Sequence, residues 1–328
     1  MKKLIGILCL MLASLNANAG IPVLMYHEVV SDSAGIAPDD TIVTVSSFNA
    51  QMKWLNDNGY YTVSAAELAT YMKTGQIRTK RNKQPIVITF DDGWYNQQNA
   101  LPALDRYGFK AVFNIIAAIP GNDPSYMNWK KIRDLSGKGH EIASHTMTHP
   151  YNMTSNVYGY EIIQSKATIE SVIRKQVMTI AWPNGYFNDD MLNMASSIGY
   201  IGTQTIDDNW CTKSNVSLEG TPDCQWLTGN TYGQNPYMMK RIFVDGRCTA
   251  IEIGTWITQG HASPCSYTNV PGIVAVQRAM PVLGTLQKLT PNMTDDSDVP
   301  RYPRDVLDRN NDGLDRDDLD TKNHRKSK

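Results

Sequence analysis

The chain has no excess of charge of either sign, and it contains few histidines and cysteines. Its 328 residues include 31 Lys and Arg against 32 Asp and Glu, which gives a formal net charge of −1. This balance does not suggest electrostatic binding to nucleic acid, so we expect no nucleic-acid partner. With 41% hydrophobic residues, the chain can bury one large core or two modest ones.

The chain also lacks a hydrophobic run long enough to cross a membrane, so we expect no transmembrane segment. Its N-terminus has the basic pair Lys2-Lys3, the apolar stretch Leu4–Leu15 and the small residues of Ala17-Asn18-Ala19. This is the pattern of a secretory signal peptide, with cleavage after Ala19. We therefore expect residues 1–19 to be removed and the protein to be exported to a bacterial periplasm or beyond.

Cysteine is scarce, and Cys9 lies inside the predicted signal peptide. The other four cysteines form no C-x-x-C pair, which disfavours a cysteine-bound metal. An even number in an exported chain favours disulfides, and three pairings are open. The simplest pairing joins neighbours in sequence, Cys211 with Cys224 and Cys248 with Cys265.

Strand-like runs alternate with helical patterns through most of the mature chain. The continuous apolar run Pro85–Phe90 predicts a strand buried on both faces, and Ser64–Glu67 is a capping box that opens a helix. Repeated strand–helix units predict a parallel sheet, either open or closed into a barrel. The predicted strands are 23–26, 85–90, 111–116, 141–144, 179–182, 239–244 and 254–258. The predicted helices are 48–59, one from 64, 129–137, 160–174 and one capped by Asn188 or Asp189.

Two segments depart from this alternation. Residues 206–236 are polar and Gly-rich with two cysteines, which predicts a disulfide-pinned loop inserted into the domain of residues 20–289. Residues 290–328 are dense in charge and poor in apolar side chains, which predicts a disordered tail. In it, Asp308, Asn310, Asp312 and Gly313 match the start of a calcium loop, but Leu319 stands where the bidentate Glu belongs. A solvated charge run therefore fits the tail better than a calcium site.

Three fragments that close apolar runs carry the candidate chemistry: TFDDG at 89–93, SHTMTH at 144–149 and AWPNG at 181–185. Asp91 and Asp92 end a predicted strand, and Gly93 permits a turn that brings both carboxylates to one site. His145 and His149 share one side if their segment makes a helical turn. One carboxylate and two imidazoles can hold a divalent metal with a position open for water, beside a second carboxylate as general base. The fragments therefore point to metal-assisted hydrolysis.

Each fragment also has a simpler interpretation. Asp92-Gly93 is a common hairpin turn, an H-x-x-x-H pair occurs by chance on surfaces, and Pro183–Gly185 is a turn sequence by itself. The continuous apolar run before Asp91 argues against a hairpin, because hairpin strands usually alternate apolar and polar residues.

In this order the three fragments resemble the NodB-type polysaccharide deacetylases, also called carbohydrate esterase family four. The resemblance runs from about Ile21 to Ile257 and includes IPVLMYH at 21–27, GFKAVF at 108–113 and GHEIASH at 139–145. The first of these segments, IPVLMYH, is similar to the start of the domain in secreted poly-N-acetylglucosamine deacetylases. The resemblance implies a distorted (β/α) barrel with fewer than eight strands, and an enzyme that removes acetyl groups from an N-acetylated glycan.

The resemblance also implies roles for the residues of the fragments. Asp91 is then the general base, and Asp92, His145 and His149 bind one divalent metal ion, usually zinc. The backbone N–H of Asn184 then stabilises the oxyanion, although the family usually has Tyr at this position.

The general acid has two candidates, because the family's late leucine-x-histidine motif is not cleanly present. His261 follows a strand-like run in the right region of the chain and is the first candidate. His27, at the end of the first strand, is the rival, as the acid or as a group that orients substrate. Arg241 lies in a segment similar to a late family segment and is expected to brace the site by pairing with an acid.

Trp94, Trp182 and Trp210 lie in or near the fragments and are candidate walls of a glycan groove, since sugar rings stack on exposed aromatic faces; each suits the core equally well. Two other functions fit the same residues, an O-acetyl esterase acting on xylan-type glycans and a non-catalytic glycan-binding relative. The presence of both aspartates and both histidines disfavours the non-catalytic reading. Nothing in the sequence indicates an oligomeric state.

Overall fold

The structure, a computed structural model, describes residues 20–151, 153–206 and 229–259. Strands and helices alternate along these ranges, and a π-helical segment, Gly159–Gln164, leads into α5. In chain order the elements are β1 (Val23–Tyr26), β2 (Glu28–Val30), β3 (Ile42–Thr44), α1 (Val45–Asp57), β4 (Tyr60–Thr62), α2 (Ala65–Thr74), β5 (Gln84–Phe90), α3 (Leu101–Tyr107), β6 (Val112–Ile115), α4 (Trp129–Gly137), β7 (Glu141–Ser144), α5 (Ser165–Ile173), β8 (Thr179–Ala181), α6 (Asp189–Ser197), β9 (Gly202–Gln204), β10 (Ile242–Phe243) and α7 (Ala250–Gln259).

The main sheet of the described residues runs in the order β10-β1-β5-β6-β7-β8-β9, and all its strands are parallel. β4 pairs with the first half of β5, and β2 pairs with β3 in a separate sheet. Because the strands of the main sheet point the same way, their C-terminal ends lie at one edge. In α/β folds this edge is where ligand sites form.

The main sheet is curled into a half-barrel, and the segment 239–243 contacts β9 at one edge and then forms β10 at the other. Met239 donates its backbone N–H to the carbonyl of Thr203 at 3.0 Å and accepts from the N–H of Thr205 at 2.9 Å, next to β9. Three residues later, Ile242 and Phe243 pair with β1. This curled parallel sheet is consistent with the distorted barrel that the family resemblance implies.

Local sequence signals explain where the helices begin. Ser64 Oγ accepts the N–H of Glu67 at 3.0 Å, and Glu67 Oε2 accepts the N–H of Ser64 at 2.9 Å, which confirms the predicted capping box. Asn188, not Asp189, caps α6 by accepting the N–H of Met191 at 2.9 Å. The residues predicted to face the core from α1 are buried: Phe48, Met52 and Leu55.

The strand predicted at residues 254–258 is wrong, because these residues belong to α7. Thr249 donates its N–H to Glu252 Oε2 at 2.8 Å, and Glu252 donates its N–H to Thr249 Oγ1 at 3.3 Å, which makes a reciprocal cap at the helix start. Ile253, Trp256 and Ile257 are buried at the i, i+3, i+4 spacing of a helix face. A short apolar run fits either structure, and here the cap favours the helix.

The core packs aromatic rings between the sheet and α1. Phe90 of β5 lies with its ring centroid 5.1 Å from Phe113, 5.5 Å from Tyr26 and 5.8 Å from Phe48 of α1. Thr89 and Asn114, which precede Phe90 and follow Phe113, are polar and buried. Because successive strand residues point to opposite faces, these polar groups lie on the face opposite the rings, which also carries apolar residues such as Val87 and Val112.

Several predictions concern residues outside the described ranges. These are the signal peptide, the tail with its calcium-type sequence and most of the inserted loop. Of the four cysteines that follow the predicted signal peptide, Cys248 alone is described, and it is buried in the core. The disulfide pairings stay predictions. No helix in the described part of the chain has both the length and the apolarity to span a bilayer.

A buried histidine is expected to make the fold sensitive to acid. His140 Nδ1 accepts the N–H of Ala111 at 3.1 Å, and burial, with a smaller contribution from Lys110, lowers the pKa of His140 from 6.5 to about 4. The unfolded chain therefore binds the proton first as the pH falls. The free energy of unfolding should drop by on the order of 2 kcal/mol between pH 7 and pH 4 through this group.

Denaturant unfolding of the wild type and of His140→Asn measures this contribution. The amide keeps a hydrogen-bond acceptor but does not titrate, so the difference in stability between the two proteins should narrow as the pH falls. If the free energies of unfolding of the two proteins changed with pH in parallel, His140 would not be the cause of the acid sensitivity.

Candidate active site

Asp91 and Asp92 follow β5 at the C-terminal edge of the sheet. Asp91 still donates its N–H to the carbonyl of Tyr26 at 2.9 Å, but Asp92 has φ +75° and Gly93 has φ +85°. These left-handed conformations turn the chain out of the sheet. Both carboxylates thereby reach His145, whose Nε2 lies 3.8 Å from Asp91 Oδ2 and 3.4 Å from Asp92 Oδ1. The predicted turn is present, and a hairpin is excluded because each described strand that pairs with β5 runs parallel to it.

The segment from His145 to His149 is an irregular loop and not the helical turn suggested by its spacing. Thr146 has φ +66° and His149 has φ +57°, and the His149 N–H donates to Thr146 Oγ1 at 3.1 Å. The two imidazole rings still meet edge to face, with centroids 4.8 Å apart. The sequence spacing therefore brings the rings together through a backbone path that sequence reasoning missed.

The neighbouring strand β8 fixes the tautomer of His145. The carbonyl of Ala181 lies 2.8 Å from His145 Nδ1, and because a carbonyl only accepts, Nδ1 carries the proton. Nε2 therefore faces the carboxylates, and it is the nitrogen that can bind a metal when the imidazole is neutral. An orienting bond of this kind is typical of histidines that bind metals.

Asp92, His145 and His149 form a group that fits a divalent metal ion. Their ligand atoms lie within 4.8 Å of one another, with Asp92 Oδ1 3.7 Å from His149 Nε2. One carboxylate and two imidazoles suit zinc and leave a coordination position open. Burial and the charge of His145 lower the pKa of His149 to about 4, so this imidazole is neutral at neutral pH, as a ligand must be.

Asp91 is held by a buried cation. Arg241 Nη1 donates to Asp91 Oδ1 at 2.7 Å, and Asn114 Nδ2 donates to the same oxygen at 2.6 Å. Burial raises the pKa of Asp91, but the charge of Arg241, followed by that of His145, outweighs it and holds this pKa at about 2. Asp91 is therefore ionised at neutral pH, with Oδ2 on the side of His145. The structure thus places Arg241 beside an acid, as the sequence suggested.

The pKa of Asp92 is also held below its usual range. Burial opposes ionisation here too, but the hydrogen bond to His145 and the charges of His27 and His145 outweigh it. The same two carboxylates raise the pKa of His145 against the effect of its burial. Two adjacent carboxylates therefore stay ionised in a buried site because Arg241 beside Asp91, and His145 beside both, offset the effect of burial.

The tryptophans predicted to wall a glycan groove occupy different environments. Trp182 is fully buried and donates Nε1–H to Thr203 Oγ1 at 2.9 Å, so the prediction of an exposed wall is wrong for this residue, whose ring packs against β9. Trp94 is half-buried and stacks on Tyr126 with centroids 4.2 Å apart. Its Nε1–H donates to Asp92 Oδ2 at 2.9 Å, which orients Oδ1 toward the histidines. Trp210 lies outside the described residues.

Of the two candidates for the general acid, His27 lies in the described part of the chain. His27 follows β1, whose last residue, Tyr26, pairs with Phe90, so His27 and Asp91 end neighbouring strands. Its Nδ1 is buried and has no hydrogen-bond partner within the described part of the chain. His27 is close enough for its charge to lower the pKa of Asp91. His261 lies outside the described residues.

Asn184 lies in the turn Pro183–Gly185, which follows β8 directly. Its φ is +55°, a left-handed conformation that Asn adopts more readily than most residues. Thr205 Oγ1 donates to the carbonyl of Gly185 at 2.9 Å and ties this turn to the end of β9. The turn is therefore fixed at the same edge of the sheet as the carboxylates.

Sequence reasoning missed several buried polar residues around the site. Gln97 Nε2 bridges the carbonyls of Asp91, at 2.5 Å, and His27, at 2.9 Å. Asn114 exchanges hydrogen bonds with Gln204 while it donates to Asp91. The available signal was a polar residue inside an apolar strand, as in Val112–Ile115, because such a group needs buried partners.

The protein thus has an α/β fold with three potential metal ligands beside an ionised carboxylate, at the C-terminal edge of a curled parallel sheet. This arrangement is a candidate site for metal-assisted hydrolysis. Comparison with known proteins narrows the class of protein. Residues 78–202 match the family described as polysaccharide deacetylase, and this range holds all three fragments. This part of the chain is therefore a polysaccharide deacetylase domain of the NodB type, the family that the sequence resembles.

Two curated relatives share this region. The putative polysaccharide deacetylase YxkH of Bacillus subtilis (strain 168) is 31% identical over 185 residues, which is 56% of this chain and 63% of that protein. A peptidoglycan-N-acetylglucosamine deacetylase of Bacillus cereus is 32% identical over 134 residues, 39% of this chain and 58% of that protein. The chain thus spans less than two thirds of the length of either relative.

A solved structure supports the fold. The Streptococcus pyogenes deacetylase PplD in complex with acetate matches with a TM-score of 0.59 over 74% of this chain and 98% of that one, at 23% identity. At this identity the likeness concerns the fold alone.

Proposed function

We propose that this chain is an exported, metal-dependent hydrolase that removes acetyl groups from an N-acetylated polysaccharide. The observation that carries the proposal is the placement of Asp91 Oδ2 beside the metal-type group of Asp92, His145 and His149. The relative from Bacillus cereus is described as acting on peptidoglycan N-acetylglucosamine, which supports an amide-linked acetyl group as the target. The signal-peptide pattern of residues 1–19 supports export.

The residues divide the chemistry between them. Asp92, His145 and His149 would hold one divalent ion, and zinc fits the donor set. Such an ion supplies a Lewis acid that polarises an acetyl carbonyl and makes water easier to deprotonate. Asp91 takes the proton from the attacking water on Oδ2, because Arg241 and Asn114 occupy Oδ1. The backbone N–H of Asn184 is the proposed donor to the developing oxyanion.

Exposed tyrosines support a glycan of several sugar units as the substrate. Tyr95, Tyr151 and Tyr186 each follow one of the three fragments closely. Tyr160 lies in the π-helical segment Gly159–Gln164, next to Glu161, which accepts a hydrogen bond from Met147 of the second fragment. All four are exposed, from 47% to 73% of their surface. Aromatic faces at the C-terminal edge of the sheet are suited to stacking against sugar rings.

Acetate release over a panel of acetylated glycans tests the function. The panel comprises N-acetylglucosamine oligomers of increasing length, peptidoglycan, poly-N-acetylglucosamine and acetylated xylan. We expect release from the N-acetylated glycans, increasing with oligomer length. Release from acetylated xylan alone would indicate the O-acetyl esterase, and absence of release from every glycan would favour a non-catalytic role.

The identity of the general acid is tested by comparing an amide with an activated ester. An amine leaves poorly unless it is protonated, whereas the phenol of an aryl acetate needs little help. Given its position beside Asp91, we expect His27→Ala to reduce amide deacetylation by about 10²-fold or more while it reduces aryl acetate hydrolysis far less.

The matched variant is His261→Ala, measured on the same two substrates. A selective amide defect in His261→Ala, with none in His27→Ala, would assign the acid to the histidine that the family resemblance suggested.

A further inference from the structure

Glu161 is a buried carboxylate outside the three fragments, and its partners lie in the loop between the two histidines. Its Oε2 accepts the backbone N–H of Met147 at 3.0 Å and that of Thr148 at 2.9 Å, and its Oε1 accepts Thr148 Oγ1–H at 2.6 Å. Glu161 is 4% exposed, so water cannot replace these bonds. One side chain therefore satisfies three donors of a loop that has no helical hydrogen bonds of its own.

The opposite side of the loop is held by the chain that follows β6. The carbonyl of Thr146 accepts the N–H of Ala117 at 3.0 Å, and that of Met147 accepts the N–H of Ala118 at 2.9 Å. These bonds fix the carbonyl groups of the loop, and Glu161 fixes its N–H groups. The two sets together clamp the loop between His145 and His149.

The backbone around Glu161 is itself unusual. Residues Gly159–Gln164 form a π-helical segment before α5 begins at Ser165. π-Helical turns are rare and occur frequently at functional sites. Here the segment carries the carboxylate that holds the histidine loop, which gives the irregular turn a role in the site.

We propose that Glu161 is a positioning residue for the metal site. It acts through the loop, because the left-handed backbone of Thr146 and His149 needs an external support to keep the two Nε2 atoms directed at Asp92 Oδ1. This proposal rests on the proposed function only in so far as that function requires a metal at Asp92, His145 and His149. Partners that orient the ligands of a metal typically contribute 10- to 100-fold to its affinity.

The test is the zinc affinity of Glu161→Gln, measured by competition with a chromophoric chelator. The amide preserves side-chain volume but removes the negative charge, so its oxygen accepts the two backbone N–H groups more weakly and its NH₂ group can only donate to Thr148 Oγ1. We expect zinc to bind about 10- to 100-fold more weakly than to the wild type. Acetate release should recover toward the wild-type kcat when zinc is raised to saturation, a rescue that a general loss of structure would not show.

Glu141→Gln is the matched control. Glu141 begins β7, the strand that leads into the same loop, and its carboxylate also accepts bonds within the fold, from Thr179 Oγ1 at 2.8 Å and the N–H of Ala66 at 3.1 Å. It lies at the opposite end of the strand from the histidines. We expect this variant to change the zinc affinity little, even if its stability falls.

Thr148→Val keeps the test decisive if Glu161→Gln does not fold. It removes a single donor to Glu161, so zinc should bind about fivefold more weakly, on the scale of one hydrogen bond. Wild-type zinc affinity in a folded Glu161→Gln or in Thr148→Val would overturn the proposal, as would an equal loss in Glu141→Gln. A wild type that binds no zinc would contradict the proposed function itself, which separates that failure from a failure of Glu161 alone.

Discussion

Asp91→Asn should lose most of its turnover while it keeps its metal. The amide cannot take a proton from the attacking water, and general-base assistance is typically worth about 10²–10⁴-fold in rate. Metal retention is expected because Asp91 stands outside the group of ligand atoms that converge in the site. Acetate release and zinc content, measured on the same preparation, check both parts of this prediction.

Asp92→Asn is the matched control, because the two residues are adjacent and the substitution is the same. It should weaken zinc binding, since Asp92 Oδ1 lies 3.4 Å and 3.7 Å from the two histidine Nε2 atoms. If Asp91→Asn loses the metal and Asp92→Asn keeps it, the two roles are reversed.

Arg241→Met should destabilise the whole fold as well as the site. Arg241 and Asp91 form an ion pair at 2.7 Å with side chains only 0% and 3% exposed, so removal of the cation leaves an uncompensated buried carboxylate. Loss of one partner of a buried pair costs about 3–5 kcal/mol in free energy of unfolding. Denaturant unfolding at neutral pH measures the loss.

The pH dependence of that loss identifies its cause. In the wild type the pKa of Asp91 is about 2, so the carboxylate stays charged and stabilising above the unfolded value of 3.8. Without Arg241, burial raises the pKa of Asp91, and the variant is stabilised when this group takes up a proton. The difference in free energy of unfolding between the wild type and Arg241→Met should therefore narrow as the pH falls from 7 toward 4.

Lys53→Met provides the matched control for removal of a cation, because Lys53 pairs with Asp57 at the surface, where both side chains are about half exposed or more. It should leave the unfolding midpoint nearly unchanged. An equal loss of stability in Lys53→Met and Arg241→Met would show that the buried Arg241–Asp91 pair stabilises the fold no more than a surface pair does.

The sequence predicted those parts of the fold and site that depend on local pattern. The buried strand β5 follows from its continuous apolar run, and α2 from the capping box at Ser64. The turn after β5 follows from Gly93, which tolerates the left-handed backbone. The fragments with Asp92, His145 and His149 converge because parallel strands end at one edge of the sheet.

Other features depend on contacts that are distant in the chain, and local pattern does not encode them. The partner that Arg241 takes is 150 residues away, and the bond between Asn114 and Gln204 spans 90 residues. Glu161 looks like an ordinary helix residue in the sequence, yet its carboxylate holds a loop 13 residues earlier. Tertiary burial likewise decides that Trp182 belongs to the core.

The central claim is that this site hydrolyses an acetyl amide only with a divalent metal bound. Acetate release from an N-acetylglucosamine oligomer, measured on metal-stripped protein titrated with zinc, tests it most directly. The account predicts no release without metal and a rise to full activity that ends at one zinc ion per chain. Undiminished release from fully metal-free protein would contradict it.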